Sequence, residues 1–151
     1  MLERTRRTTS AAGLDARRKP VPKHFSVGDT FTEARDCDAY RPIYYASASG
    51  DFNPIHLDKA VGEAAGLGGV ILHGMCTMAW AVEAATKYLG DPGRLRKVRV
   101  RFSRPVAVDD TITFEGKVTS IENGRLVAEI LARNQRGEEV LKGAVIEASV
   151  A

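Results

Sequence analysis

A long apolar helix followed only by strand-like segments is the feature that most constrains this fold. From His73 to about Leu89, apolar residues recur three or four positions apart, and the stretch from Gly90 to Gly93 ends the pattern. We therefore expect one helix that is buried on most sides. Around positions 98–102 and beyond, apolar and polar residues alternate, which is typical of half-buried strands.

The second half of the chain has the pattern of an antiparallel meander. Asn123-Gly124, the strongest short hairpin signal in the sequence, joins a predicted strand over 111–121 to another over 126–133. A last strand is expected over 139–150, and an early one over 30–35. This order predicts an α+β domain in which an antiparallel sheet wraps around the long helix.

Two shorter helices are expected before the long one. The first should run from about Ala39 to Ser49, with Asp38 as its N-cap, Pro42 in its first turn and Gly50 after its end. The second should cover 59–65, with Asp58 as its cap, and end at Gly66.

Positive charge is concentrated in the first 23 residues. They hold seven basic and two acidic residues, a net charge of +5, whereas the whole chain carries +3. Residues 24–151 are thus close to neutral, which argues against a nucleic-acid partner. We expect 1–23 to be a flexible basic extension and 24–151 a single domain. Without a signal-like apolar segment or a run of 18 apolar residues, we expect a cytoplasmic protein with no membrane partner.

The cysteine and histidine content gives no sign of a disulfide framework or a metal centre. Cys37 and Cys76 are the two cysteines, and no group of cysteines or histidines has the spacing of metal ligands. We expect no metal and no cofactor. Cys76 could act as a nucleophile, but its apolar helical setting favours simple packing.

A short irregular segment between the first two helices holds the candidate catalytic residues. Asp51 and His56 are five positions apart, which on a regular helix would direct them about 140° away from each other. Gly50, Asn53 and Pro54 favour a stiff turn instead, and such a turn can bring the two side chains together. A carboxylate and an imidazole aimed at one point can hold a water molecule and exchange protons with it.

This Gly-Asp-x-Asn-Pro-aliphatic-His pattern resembles the signature of MaoC-like dehydratases and (R)-specific enoyl-CoA hydratases, the hydratase 2 group. The stretch from Ile71 to Met75 is similar to the start of that family's central helix. Gly90 to Gly93, followed by Val100 to Phe102, resembles the catalytic subunits of heterodimeric 3-hydroxyacyl-ACP dehydratases. The resemblance covers roughly residues 24–151.

The resemblance implies a hot-dog fold that works as a dimer, either of two copies or with another hot-dog subunit. Asp51 and His56 would be the catalytic pair, and Gly74 would offer its backbone N–H to the thioester oxygen. The substrate would be an acyl-CoA or acyl-ACP, and the reaction the reversible addition of water across a trans-2-enoyl thioester. Which of Asp51 and His56 is the base stays open.

Several alternatives remain open at this level. Asn53 either fixes the turn, which we favour, or binds substrate, and His73 either lines the site or forms hydrogen bonds at the start of the helix. A basic run is either a solvated face or a docking surface for CoA phosphates or an acidic carrier protein; it consists of Arg94, Arg96, Lys97, Arg99, Arg101 and Arg104. The alternative functions are a non-catalytic hot-dog companion subunit and a thioesterase.

Overall fold

A computed structural model describes residues 24–150 of the chain, and the expected basic extension, residues 1–23, lies outside the described residues. The elements, in chain order, are β1 (Thr30–Asp36), α1 (Arg41–Ser49), α2 (Lys59–Ala64), α3 (Gly74–Leu89), β2 (Leu95–Phe102), β3 (Thr111–Glu122), β4 (Arg125–Asn134) and β5 (Glu139–Ser149). Two 3-10 turns, Pro54–His56 and Pro92–Arg94, lie between them.

The five strands form one antiparallel sheet in the order β1-β3-β4-β5-β2. Alternate residues of β3 and β4 are fully buried and pack against α3 in the same apolar cluster, as Phe114 and Ile130 do with Leu89. The arrangement is the predicted α+β hot-dog fold, with the sheet wrapped around the long helix. Because β2 pairs only with β5, it forms one edge of the sheet in the described chain.

The α3 helix is present as predicted, and its buried face includes Trp80, Ala85 and Leu89 from the apolar pattern but not Met75. Met75 lies at one of the apolar positions that recur from His73 to Leu89, yet it is 50% exposed. The buried stripe is made mostly of small side chains, and its members are Cys76, Thr77, Trp80, Ala81, Ala84, Ala85 and Leu89. Small residues let the helix lie close to the sheet.

The hairpin between β3 and β4 confirms the Asn123-Gly124 prediction. Asn123 has φ of 50° and Gly124 has φ of 74°, the paired left-handed conformation that a two-residue turn with the twist of the strands requires. The register then places Glu122 opposite Arg125. Local turn chemistry thus fixes which face of each strand meets α3.

The start of α1 differs from the prediction. The helix begins at Arg41 with Tyr40, not Asp38, as its N-cap. The carboxylate of Asp38 accepts a hydrogen bond from the Tyr40 N–H, two residues further along the chain. Pro42 lies in the first turn and Gly50 ends the helix with φ of 76°, both as predicted.

The cap of α2 is confirmed. The Asp58 side chain accepts hydrogen bonds from the N–H groups of Ala60 and Val61, so the helix starts directly after it. Within residues 24–150, no helix combines the length and the apolar character needed to cross a bilayer.

Candidate active site

The segment after α1 forms the stiff turn that its sequence predicts. The Asn53 side chain accepts a hydrogen bond from the Ile55 N–H at 3.3 Å, and the Asn53 N–H donates to the carboxylate of Asp51 at 3.2 Å. Pro54 then opens a 3-10 turn that ends at His56. The turn-forming interpretation of Asn53 agrees with these contacts, and its binding to substrate stays a prediction.

His56 is buried and its ring is oriented by the main chain. The side chain is 8% exposed, and Nδ1 lies 2.8 Å from the carbonyl oxygen of Ile71. Because a carbonyl can only accept, Nδ1 must carry the hydrogen. In the neutral ring, Nε2 is therefore left with a lone pair, which is the form that a general base needs.

Asp51 lies beside His56, as the sequence pattern predicts, but its side chain is 54% exposed. One of its carboxylate oxygens, a ring nitrogen of His56 and a ring nitrogen of His73 lie within 4.8 Å of one another. A gap of this size between Asp51 and His56 can be bridged by one water molecule that makes a normal hydrogen bond to each.

His73 is more closely involved in the site than its sequence suggested. It is the N-cap of α3, but its side chain makes no capping bond; instead Nε2 donates to the main-chain oxygen of Asp51 at 2.9 Å. Its ring also stacks on that of His56, with centroids 3.7 Å apart. Asp51 and His73 are 22 positions apart, and no local pattern in the sequence indicates this contact.

Gly74 is the first residue of α3 and shares a cavity of about 360 Å³ with His56. Its N–H has no acceptor inside the helix, and the positive end of the helix dipole lies at this point. A Cβ atom on Gly74 would come within 3.2 Å of the Phe102 ring, so a larger residue here would require that ring to shift. Thr77 and Arg104 also line this cavity, whereas Asp51 and Asn53 do not.

Another cavity, of about 410 Å³, also reaches His56. Leu57 and Lys59 line one part of it, and Gly68 and Gly69 line another. His56 thus lines two separate cavities.

Within residues 24–150, Asp51, His56 and His73 are the group whose donor atoms come close enough to hold a metal ion. The two imidazoles are stacked at an interplanar angle of 24°, however, so their in-plane lone pairs run side by side and do not converge on one point. Nδ1 of His56 and Nε2 of His73 are already bonded to carbonyl oxygens. The arrangement suits proton exchange better than chelation.

Cys76 is a packing residue of the core. It is 5% exposed in α3, and burial raises the pKa of its thiol to about 11. The thiolate form needed for nucleophilic attack is therefore scarce at neutral pH.

Some side chains of the basic run have hydrogen-bond or ion-pair partners, and others have none within residues 24–150. Lys97 pairs with Glu147 at 3.7 Å and Arg104 with Glu138 at 3.7 Å. Arg94 and Arg96 donate to main-chain carbonyls. Arg99 and Arg101 are exposed on β2, and neither forms an ion pair with another residue in the 24–150 range.

The chain is similar in sequence to one family model and to several known proteins. The family model described as MaoC like domain matches residues 30–139. The chain is 41% identical over 103 residues to the fatty acid synthase beta subunit pkiC of Emericella nidulans, covering 66% of this chain and 5% of that protein. It is 33% identical over 99 residues to the peroxisomal enoyl-CoA hydratase 2 of Arabidopsis thaliana, covering 64% of this chain and 31% of that protein.

A solved structure shows the same fold. The R-hydratase PhaJ1 from Pseudomonas aeruginosa superposes with a TM-score of 0.76 at 28% identity, over 83% of this chain and 82% of that one. The family match covers well over half of the chain and includes Asp51, His56 and Gly74. The chain therefore belongs to the family of MaoC-like dehydratase domains.

Proposed function

We propose that this protein catalyses the reversible hydration of trans-2-enoyl thioesters to (R)-3-hydroxyacyl thioesters. The observation that carries the proposal is the pairing of Asp51 with a buried His56 whose Nε2 lone pair is left available by the Ile71 carbonyl. The relatives named as enoyl-CoA hydratase 2 and R-hydratase support the same chemistry.

In this proposal one water molecule lies between the two side chains. The Asp51 carboxylate accepts one of its hydrogens and orients it, and Nε2 of His56 removes the other as the oxygen attacks C3 of the substrate. The electron pair of the C2–C3 double bond moves toward the thioester, which gives an enolate. The imidazolium of His56 then returns the same proton to C2, so His56 ends neutral and the elements of water have been added.

Gly74 has a separate part in this scheme. As the thioester becomes an enolate, negative charge develops on its oxygen, and the Gly74 N–H at the start of α3 would donate to it. This role is supported by the fact that His56 and Gly74 line the same cavity. No protonated side chain is needed to hold this charge.

The proposal is tested by mixing the purified protein with crotonyl-CoA and following the loss of enoyl absorbance. We expect hydration and an (R)-3-hydroxybutyryl product. Release of free CoA thiol without hydration would instead support a thioesterase. Inactivity of the protein alone, with activity in the presence of a second hot-dog subunit, would support a heterodimeric dehydratase; inactivity in both conditions would refute the proposal.

We also propose that the working form is a dimer that covers the site. Phe52, next to Asp51, is 59% exposed, and Met75 and Phe102, next to and over Gly74, are 50% and 49% exposed. Large apolar side chains grouped around an active site are typical of a surface that a partner covers. The β2 edge offers unpaired main-chain groups for a second sheet to join.

Light scattering at micromolar concentration should therefore give a mass close to twice that of one chain. Phe102→Glu, which places a charge in the proposed interface, is expected to shift the protein toward the monomer and to lower activity. Glu122→Lys, at the far end of β3, is the charge-changing control and should leave the mass unchanged. A monomeric wild-type protein with full activity would contradict the proposal.

Arg99 and Arg101 are the part of the basic run best suited to bind an anionic carrier. Strand pairing uses only main-chain groups, so these side chains stay on the faces of the sheet even when β2 is paired. The phosphates of CoA or an acidic carrier protein would meet two cations that have no carboxylate to compete with.

Replacing Arg99 and Arg101 together by glutamine is expected to raise KM for crotonyl-CoA about tenfold with little change in kcat, because exposed charge pairs contribute roughly 0.5–1 kcal/mol each. The difference from wild type should shrink at high salt. Lys117→Gln with Arg133→Gln removes the same charge from β3 and β4 and serves as the control. Equal KM values for the two double variants would show that the basic run is only a solvated face.

A further inference from the structure

We propose that His73 is a positioning residue that holds Asp51 and His56 in their reactive arrangement at the same time. The inference deepens the proposed hydratase function and rests on it. His73 makes a hydrogen bond to the main chain of Asp51 and a ring contact with His56. We infer that it acts through these two residues and not by touching the substrate.

The bond to Asp51 holds an otherwise loosely attached residue. Asp51 follows α1 in an irregular segment, and its other hydrogen bonds within residues 24–150 are local. Its N–H donates to the Ser49 hydroxyl, and its carboxylate accepts from the Asn53 N–H. The 2.9 Å bond from Nε2 of His73 is the contact that ties Asp51 to the rest of the fold. His73 is only 2% exposed, so water does not compete well for this bond.

The ring contact controls the tilt of His56. The bond from Nδ1 to Ile71 fixes the rotation of the His56 ring about one point, but it leaves the ring able to tilt. His73, stacked at 3.7 Å, supports one face of that ring. Together the two contacts hold the His56 ring in one orientation next to Asp51.

His73 is itself held firmly by its neighbours. Its main-chain oxygen accepts hydrogen bonds from Cys76 and Thr77 in the first turn of α3, and its ring packs against Tyr45 with centroids 4.8 Å apart. Because His73 is fixed to α3, it holds both Asp51 and His56 in place relative to that helix.

The choice of histidine at this position is hard to explain by packing alone. Nδ1 of His73 is buried and has no hydrogen-bond partner, which is unfavourable for stability. The side chain does not cap its own helix either. An apolar residue would fill the same space without an unpaired nitrogen, so the imidazole fits a role in the site better than a role in folding.

Two substitutions separate the two contacts. His73→Phe keeps a ring against His56 but has no N–H for Asp51, and His73→Gln keeps an N–H that can reach the Asp51 oxygen but has no ring. We expect each to lower kcat for crotonyl-CoA hydration about tenfold with KM nearly unchanged, because small misplacements of reacting groups reduce the rate strongly. His73→Leu, which loses both contacts, should lower kcat further than either.

Tyr45→Phe is the matched control, since it retains the ring beside His73, and kcat should stay within twofold of wild type. A second readout does not depend on catalysis. Backbone order parameters from ¹⁵N relaxation at residues 51–53 should fall in His73→Phe and stay near wild type in His73→Gln.

Wild-type protein without hydratase activity, both alone and with a second hot-dog subunit, would refute the proposed function, and the order parameters would still decide whether His73 positions Asp51. Full kcat in the folded Phe and Gln variants, with unchanged order at 51–53, would overturn the inference. A variant that melts at a much lower temperature is judged on the order parameters measured below its melting transition.

Discussion

Replacing His56 by glutamine, or Asp51 by asparagine, is expected to lower kcat for crotonyl-CoA hydration by about 10²- to 10⁴-fold, the usual contribution of a positioned acid or base. Glutamine cannot take a proton from water, and asparagine can no longer accept two hydrogen bonds with a full negative charge. Both replacements are close in size to the original side chains, so the turn after α1 should persist. The measurement is steady-state hydration together with a thermal melt of each variant.

His24→Gln is the control, because this exposed histidine lies outside the site. The double variant should be scarcely worse than either single one, since the two side chains act on one water molecule. Near-normal kcat in either folded variant would mean that the catalytic pair has been misassigned.

Gly62→Ala is expected to lower the free energy of unfolding by about 2 kcal/mol and the melting temperature by roughly 8 °C. Alanine in the middle of a helix is ordinarily more favourable than glycine by about 0.5–1 kcal/mol. Here a Cβ would lie only 2.0 Å from the carbonyl oxygen of Gly69, which is backbone and cannot swing aside. The chain after Gly69 leads to Ile71, so the shift should also disturb His56 and reduce kcat.

The comparison variant is Glu63→Ala, one residue further along the same helix and exposed to solvent. It should change stability by less than about 0.5 kcal/mol. A Gly62→Ala protein as stable as wild type would show that the link between α2 and Ile71 can move without cost.

Much of this fold could be predicted because its signals are local. The turn at Asn123-Gly124 depends on two adjacent residues, and the cap of α2 depends on Asp58 and the amides just after it. The face of α3 was predicted less well. Alanine is a weak hydrophobic signal in sequence, yet alanines lie against the sheet while Met75 faces outward.

In the site, too, the features set by neighbouring residues could be predicted and those set by distant contacts could not. Asp51, His56 and the turn between them could be identified from consecutive residues, since Asn53 and Pro54 limit how the chain can run. The part of His73 could not, because it depends on a bond to a main-chain oxygen 22 positions earlier. Main-chain acceptors have no residue-specific signature, so sequence alone does not indicate which carbonyl a histidine will reach.

The chain between His56 and Ile71 begins and ends at almost the same place. The Ile71 N–H donates to the Ile55 oxygen, and the Ile71 oxygen accepts from His56. Residues 57–70 therefore form a loop that is closed by His56, the proposed catalytic histidine. This loop supplies Leu57, Lys59, Gly68 and Gly69 to the larger of the two cavities that His56 lines. The length and sequence of this loop can therefore change, and with them the shape of that cavity. The hydrogen bonds of Ile71 would still keep the imidazole of His56 in place.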